Sequence, residues 1–235
     1  MRLDKYRPFF TKEHLMGPNS LLLLDEILTC KPHAISGGYV LDLGCGTGVT
    51  SLMLAQETAA DKVFAMDLWV AAGDNWQRAK AWNQAEKIIP IHADANAMPF
   101  ATAFFGSIVS VDAYHYFGYQ KGFFSENILP HLAVGGHALL VMPGVREEGM
   151  QDHPLMQEWA GDETIMFHSP QWWKENLLHG AENITVKAWE SARFNEAWND
   201  WYATGHDYAL RDREFLERGL KDMLNFVLVD ICKKA

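Results

Sequence analysis

Between Gly38 and Thr58 an apolar run, "GYVLDLG", ends in a loop with glycine at every second position, Gly44, Gly46 and Gly48, and resumes as "GVTSLMLAQET". The first run has the continuous apolar character of a strand buried on both faces, and the second has the length of a helix. Parallel strands need a crossover connection, usually a helix, so a strand–loop–helix unit of this kind is the repeating element of a parallel sheet. Glycine permits positive φ and lets the backbone approach a ligand closely. The stretch therefore restricts the chain to an α/β fold and puts a candidate ligand loop at the carboxyl end of its first strand. A tight strand-to-helix turn with no ligand would use the same glycines.

The alternation continues. "DKVFAMDLW" and "IIPIHAD" read as the next strands, with "AGDNWQRAKAWNQAEK" between them as a helix on the spacing of Trp76, Ala79 and Trp82. "FGSIVSVDAYHYF" is a strand, "KGFFSENILPHLAVGG" a helix stopped by its paired glycines, and "HALLVMPG" a strand. Upstream of the glycine loop, "NSLLLLDEILTC" is a helix capped by Asn19 or Ser20. The last third offers a helix, "SPQWWKENLLHG", and two strands, "NITVKAW" and "LNFVLVDICKK". Such a pattern predicts a mainly parallel sheet covered on both faces. At 235 residues the chain suits one core, so 1–235 is read as a single domain. Residues 1–37 form an N-terminal arm and helix, and residues 143–168 and 190–222 are insertions expected to cap a substrate at one end of the sheet.

The charge balance narrows the partners. Asp and Glu number 30 against 20 Lys and Arg, for a net charge of −10 without a basic cluster. Binding to a phosphate backbone works by releasing counterions to basic side chains, so no nucleic-acid partner is expected. Cys30, Cys45 and Cys232 are too far apart for a zinc motif, and no H-E-x-x-H or paired-ligand spacing occurs, so no metal is expected. The longest apolar run, Leu21 to Leu24, ends at Asp25-Glu26, and the opening residues carry charges throughout. A cytoplasmic protein without integral membrane association is expected. Nothing in the sequence sets an oligomeric state.

The loop reads G-x-G-x-G, not the G-x-G-x-x-G of dinucleotide folds, and no Lys-Ser/Thr pair follows to make a triphosphate loop. Asp67 closes the second strand, where a carboxylate can accept both hydroxyls of a ribose; Asp94 closes the third, placed for an adenine amino group. Acids at both strand ends disfavour a ribose 2′-phosphate. Asp42, just before the glycines, suits the cationic end of a ligand. Together these residues describe a nucleoside with a positively charged tail.

In the order "VLDLGCGTG", "VFAMDLW", "HADANAMPF", "SIVSVDAYHYF", "GGHALLVMPG", the chain resembles the class I S-adenosylmethionine-dependent methyltransferases over roughly residues 38 to 142. The resemblance implies a Rossmann-like sheet of seven strands, the last antiparallel, with helices on both faces. It implies Gly44, Gly46 and Gly48 against the methionine part of S-adenosyl-L-methionine, with Cys45 in the same loop as a small buried residue. Asp67 would hold the ribose, Leu68 or Trp69 would pack on the adenine, Asp94 and Ala95 would lie at its edge, and Asp112 would face the reactive methyl. The product would be S-adenosyl-L-homocysteine. More loosely, the sequence is similar to small-molecule methyltransferases described as cyclopropane-fatty-acid-synthase-like. A lipid-modifying activity, or a non-catalytic cofactor-binding role, is the alternative reading.

Methyl transfer to a small-molecule acceptor demands positioning first. A hydroxyl acceptor also needs a base, whereas a thiolate or an amine needs little. His115 in "DAYHYF", flanked by Tyr114 and Tyr116, is the candidate base, its ordinary pKa suiting neutral pH, with Tyr114 a second catalytic candidate; shaping the pocket is the other reading of His115. Tyr6 and His14 in the N-terminal arm, and Trp198 and Trp201 in the second insertion, are candidates for the acceptor site. An aromatic cage with nearby acids would suit a cationic acceptor, and an apolar one would use the same residues.

Overall fold

Alternate residues of each strand face opposite sides of a sheet, and here both sides are apolar. The computed structural model describes residues 2–235. Its strands are β1 (Tyr39–Leu43), β2 (Lys62–Asp67), β3 (Ile88–His92), β4 (Phe105–Val111), β5 (Leu132–Val145), β6 (Ile184–Glu190) and β7 (Leu224–Lys233). They form one seven-stranded sheet in the order β3-β2-β1-β4-β5-β7-β6. The first five pair in parallel, and β7 runs antiparallel to both β5 and β6. Because β1 pairs with β2 on one side and β4 on the other, the strand order reverses there. That is the switch point at which open α/β sheets bind ligands.

Val40, Val63, Val109, Val141 and Phe226 point to one face, and Leu41, Met66, Ile108, Leu140 and Val227 to the other. The first face is covered by α1 (Ser20–Cys30), α2 (Val49–Glu57), α3 (Ala72–Ala81) and α7 (Phe194–Ala203). The second carries α6 (Pro170–Leu178), through Trp173 and Leu177, and the irregular turns around Phe123 and Phe124. Asn19 caps α1, its Oδ1 accepting from the amides of Leu21 (3.1 Å) and Leu22 (3.2 Å). Its Nδ2 donates to Asp200 (2.7 Å), tying α1 to α7. Among the described residues no helix is long and apolar enough to cross a membrane.

Three expectations need correction. The helix read over "KGFFSENILPHLAVGG" is a π turn, Phe124–Ile128, and a 3₁₀ turn, Leu129–His131. The paired glycines lie inside β5 instead, and a Cβ at Gly136 would stand 2.7 Å from the Gly106 carbonyl oxygen. They serve close strand packing, not a helix stop.

Tyr6 is 1% exposed, and its hydroxyl donates to Gln56 and Glu57 (both 3.1 Å) at the C-terminal end of α2, opposite the glycine loop. It anchors the arm to α2. Trp198 and Trp201 are also interior, 4% and 2% exposed. The amphipathic α7 turns them inward, Trp198 against Phe226 of β7 with ring centroids 6.3 Å apart.

The rest of the second insertion, α8 (Asp207–Glu217), pairs with α5 (Pro154–Ala160) of the first. Trp159 Nε1 donates to Asp212 Oδ1 (2.9 Å), Arg211 donates to the Trp159 carbonyl (2.6 Å), and Arg218 pairs with Glu158 (2.6 Å).

Candidate functional site

The carboxyl ends of β1 to β4 open on a cavity of about 330 Å³, within the range of small-molecule sites. Its first wall is the loop after β1. Gly44 (φ 73°) and Gly46 (φ 53°) are left-handed, and a Cβ on Gly44 would stand 2.3 Å from that of Ala113. Only glycine fits there, because the β1 and β4 exits touch across the switch point. Asn75 Nδ2 donates to the Gly46 carbonyl (2.9 Å) and is itself held by Arg78 (2.8 Å), which fixes the loop from α3.

Asp67 organises the second wall. Its Oδ2 accepts from the Gly46 amide (2.8 Å), and Oδ1 accepts from the amides of Trp69 (2.7 Å) and Val70 (2.8 Å). A carboxylate offers about four lone-pair sites. Three are committed to backbone, so Asp67 has room for one more hydrogen bond, not the pair expected from sequence. Leu68 and Trp69 stand on the rim, 51% and 67% exposed, unusual for residues of their size. At the exit of β3, Asp94 Oδ1 accepts from the Asn96 amide (2.8 Å) and Nδ2 (2.7 Å), which hold its carboxyl below the usual range. Ala95 lies buried beside it.

The exit of β4 makes the far wall. Asp112 is a non-glycine residue at φ 57°, a strained conformation of the kind that clusters at functional sites. Its carboxyl faces Gly17 so closely that a Cβ there would meet Oδ2 at 2.5 Å. Burial and the nearby Asp212 push it up to about 7. Tyr116 lines the cavity beside it, edge-on to Trp69 at 5.0 Å. Burial, followed by Asp112, Glu163 and Asp212, raises its phenol. His14, Met16 and Gly17 close the roof, the His14 carbonyl accepting from Thr47 Oγ1 (2.6 Å). Burial and Arg78 lower the His14 pKa, keeping it neutral at pH 7.

Besides Tyr6, Trp198 and Trp201, four residues expected at the site do not line the cavity. Asp42 points under α2, accepting from Thr50 (2.7 Å) and Ser51 (2.5 Å), with burial pushing its carboxyl up to about 6. It ties β1 to α2. Gly48 (φ 81°) starts α2 with its Cα toward Asn75 and Trp82. Tyr114 is fully buried among Phe117, Phe123 and Trp173 on the other face.

His115, 3% exposed, packs on Tyr116 and Phe167, and burial pushes it down to about 3. A base needs contact with its proton donor, and His115 has none with the cavity. Tyr116, read from sequence only as a flank of His115, is the one that lines the cavity: the chain turns helical after β4, so the residue three beyond Ala113 returns to Ala113's face. Asp212 was missed because its approach is purely tertiary.

Burial of neutral His115 makes a testable linkage. Its folded pKa lies below its unfolded one, so its contribution is present above about pH 6.5 and lost as pH falls toward about 3. Asp112, shifted upward, gives the opposite slope, so the comparison must be with a variant. Urea unfolding of wild type and His115→Leu at pH 7 and pH 5 should show the wild type losing about 2 kcal/mol relative to the variant. Parallel pH profiles would refute this.

Residues 40–136 match a family model described as a methyltransferase domain. No curated protein matches the chain in sequence. Phosphoethanolamine N-methyltransferase 2 of Haemonchus contortus, in complex with S-adenosyl-L-methionine, superimposes with a TM-score of 0.78 at 18% identity, over 98% of this chain and 56% of that one. The same enzyme with phosphomonomethylethanolamine and S-adenosylhomocysteine gives 0.75 at 19%, over 94% and 54%. Geranyl diphosphate C-methyltransferase of Streptomyces coelicolor A3(2), with Mg²⁺, geranyl diphosphate and S-adenosyl-L-homocysteine, gives 0.71 at 13%, over 91% and 80%. The chain thus spans little more than half the length of the H. contortus protein. The motif resemblance is met by the family match, and the expected seven-stranded fold by the sheet and these superpositions.

Proposed function

We propose that this chain, with the fold of S-adenosylmethionine-dependent methyltransferases and their domain signature over residues 40–136, transfers a methyl group from S-adenosyl-L-methionine to a small-molecule acceptor. The observation that carries this reading is the cavity at the switch point, bounded in turn by Gly44–Thr47, Asp67–Trp69, Ala93–Asn96 and Asp112–Ala113. Its residues suit the cofactor. The charged side chains lining it are Asp67, Asp94 and Asp112, which favour a cationic, phosphate-free nucleoside. The exposed Leu68 and Trp69 offer apolar surface to a flat base, and Asp67 retains one acceptor site for a ribose hydroxyl.

When bound, S-adenosyl-L-methionine supplies a methyl group made electrophilic by the sulfonium. Gly44 and Gly46 let the backbone approach the amino-acid part, and Asp94 and Ala95 meet the base. Asp112 and Tyr116 receive the acceptor. The α5–α8 pair, joined through Trp159 and Asp212, covers that end and helps exclude water. Holding the reactants in line can contribute about 7–11 kcal/mol at its upper limit. The unpaired Cys30, Cys45 and Cys232 fit a reducing cytoplasm, where we place the reaction.

Isothermal titration tests the cofactor. S-adenosyl-L-methionine and S-adenosyl-L-homocysteine should bind at micromolar concentrations and NAD should not, because the diphosphate of NAD would face three aspartates without a basic partner in the lining. Tighter binding of NAD would overturn the assignment. Labelled methyl transfer to fractionated cell metabolites separates an enzyme from a cofactor-binding protein without activity.

A further inference from the structure

Two of the superimposable enzymes are solved with compounds that carry phosphate or diphosphate. Recognition of such groups calls for arginine, lysine or a metal ion. The cavity of this chain is lined differently. Its charged residues are all aspartates, and its histidine is kept neutral by burial and Arg78. The acceptor end is the most acidic part. Asp112 lies in the wall, the charge of Asp212 on α8 acts on it, and Glu163 adds to the field at Tyr116. Arg211 of α8 and His206 at its start also act on Asp212, and Arg211 donates to the Trp159 carbonyl (2.6 Å).

Asp212 is also held in place, Oδ1 accepting from Trp159 Nε1 (2.9 Å) and Oδ2 from Trp201 Nε1 (3.3 Å). Two indoles from different helices thus hold Asp212 where its charge acts on Asp112, which no cationic side chain of the cavity wall offsets. Like charges enclosed together raise each other's pKa, and a bound cation would relieve the cost. The ring of Tyr116, edge-on to Trp69 at the rim, supplies aromatic surface of the kind a cation prefers. Phosphate would meet three carboxylates.

Resting on the methyltransferase reading above, we infer that the acceptor is a cationic amine without a phosphate group, recognised by Asp112 and Tyr116 with Asp212 behind them. Asp112 then has a chemical task as well. The ammonium gives a proton to the Asp112 carboxylate, and the freed nitrogen lone pair forms the N–C bond to the methyl carbon. The C–S bond breaks with its electron pair going to sulfur, and the proton leaves Asp112 for water. The products are the N-methylated ammonium and the neutral thioether.

The test uses wild-type protein saturated with S-adenosyl-L-homocysteine and titrated with three probes, followed by calorimetry and by NMR shifts of the Tyr116 region. Choline carries the cation, 3,3-dimethylbutan-1-ol is its neutral isostere, and phosphocholine adds phosphate. Choline should bind at least tenfold more tightly than either of the others, and Asp112→Asn should bring it down to the level of the alcohol. Asparagine suits a left-handed φ, so that variant should fold. Asp212→Asn should give a smaller loss of the same sign. Equal binding of choline and the alcohol, tightest binding of phosphocholine, or no binding of choline would each overturn the inference while leaving methyl transfer intact. Failure of S-adenosyl-L-homocysteine to saturate the protein would instead overturn the cofactor reading beneath it.

Discussion

Asp67→Ala should lower the affinity for S-adenosyl-L-homocysteine by about 100-fold, measured by calorimetry on protein shown to be folded by circular dichroism. One factor of ten comes from the lost hydrogen bond to the ribose, since a bond to a charged group contributes about 1.5–3 kcal/mol. The other comes from the protein. Asp67 is the shared acceptor for the amides of Gly46, Trp69 and Val70, so alanine frees the glycine loop and the β2 exit together. Asp67→Asn separates the two contributions, because it keeps one carbonyl acceptor and should fall between wild type and alanine. Amide exchange at Gly46 should accelerate in both variants. Unchanged affinity in a folded Asp67→Ala protein would remove Asp67 from the site.

Trp201→Ala should destabilise the fold by about 3–5 kcal/mol, the usual cost of emptying a buried tryptophan position. It should leave the affinity for S-adenosyl-L-homocysteine unchanged at temperatures where the variant remains folded. Trp201 is 2% exposed, sits on the α1-side core, and donates through Nε1 to Asp212. Guanidinium unfolding gives the magnitude. Trp201→Phe, which retains most of the volume, should recover the larger part of the loss, leaving the cost of Asp212's missing donor. A variant as stable as wild type with weakened acceptor binding would restore the tryptophan to the acceptor site and refute its reading as core.

These two residues mark how far the sequence is legible. Asp67 could be assigned to the site because it follows a strand, and a parallel strand leaves little freedom about where its last residue ends. The same holds for Asp94 and Asp112, each at or just past a strand end. What could not be read was how many acceptor sites of Asp67 the backbone would claim, since its partners depend on how the chain turns at Trp69 and Val70. Trp201 was ambiguous for a different reason. Helical spacing shows that Phe194, Trp198 and Trp201 share a face, but an apolar face can serve as core or as the lining of a cap. Only the docking of α7 against α1 and β7 decides.

The region after β4 shows the limit most sharply. "DAYHYF" offers two tyrosines and a histidine within three consecutive positions, and residue chemistry favours the histidine as a base. One helical turn rotates successive side chains by roughly 100°. Tyr114 therefore enters the far core, His115 is buried against Phe167, and Tyr116 faces the cavity.

Determined by the sequence alone were the order of the strands, the glycine loop, the acids at the strand ends and, through the combined motifs, the methyltransferase resemblance. These are local properties: apolar period, backbone permissiveness and position along an element do not depend on distant residues. The tertiary structure alone decided that Asp42 binds α2, that Tyr6 and the two tryptophans are interior, and that Asp212 approaches Asp112 across 100 residues of chain. Those outcomes depend on which faces meet. Meeting is settled by packing among elements far apart in sequence, and periodicity within one element carries no record of it.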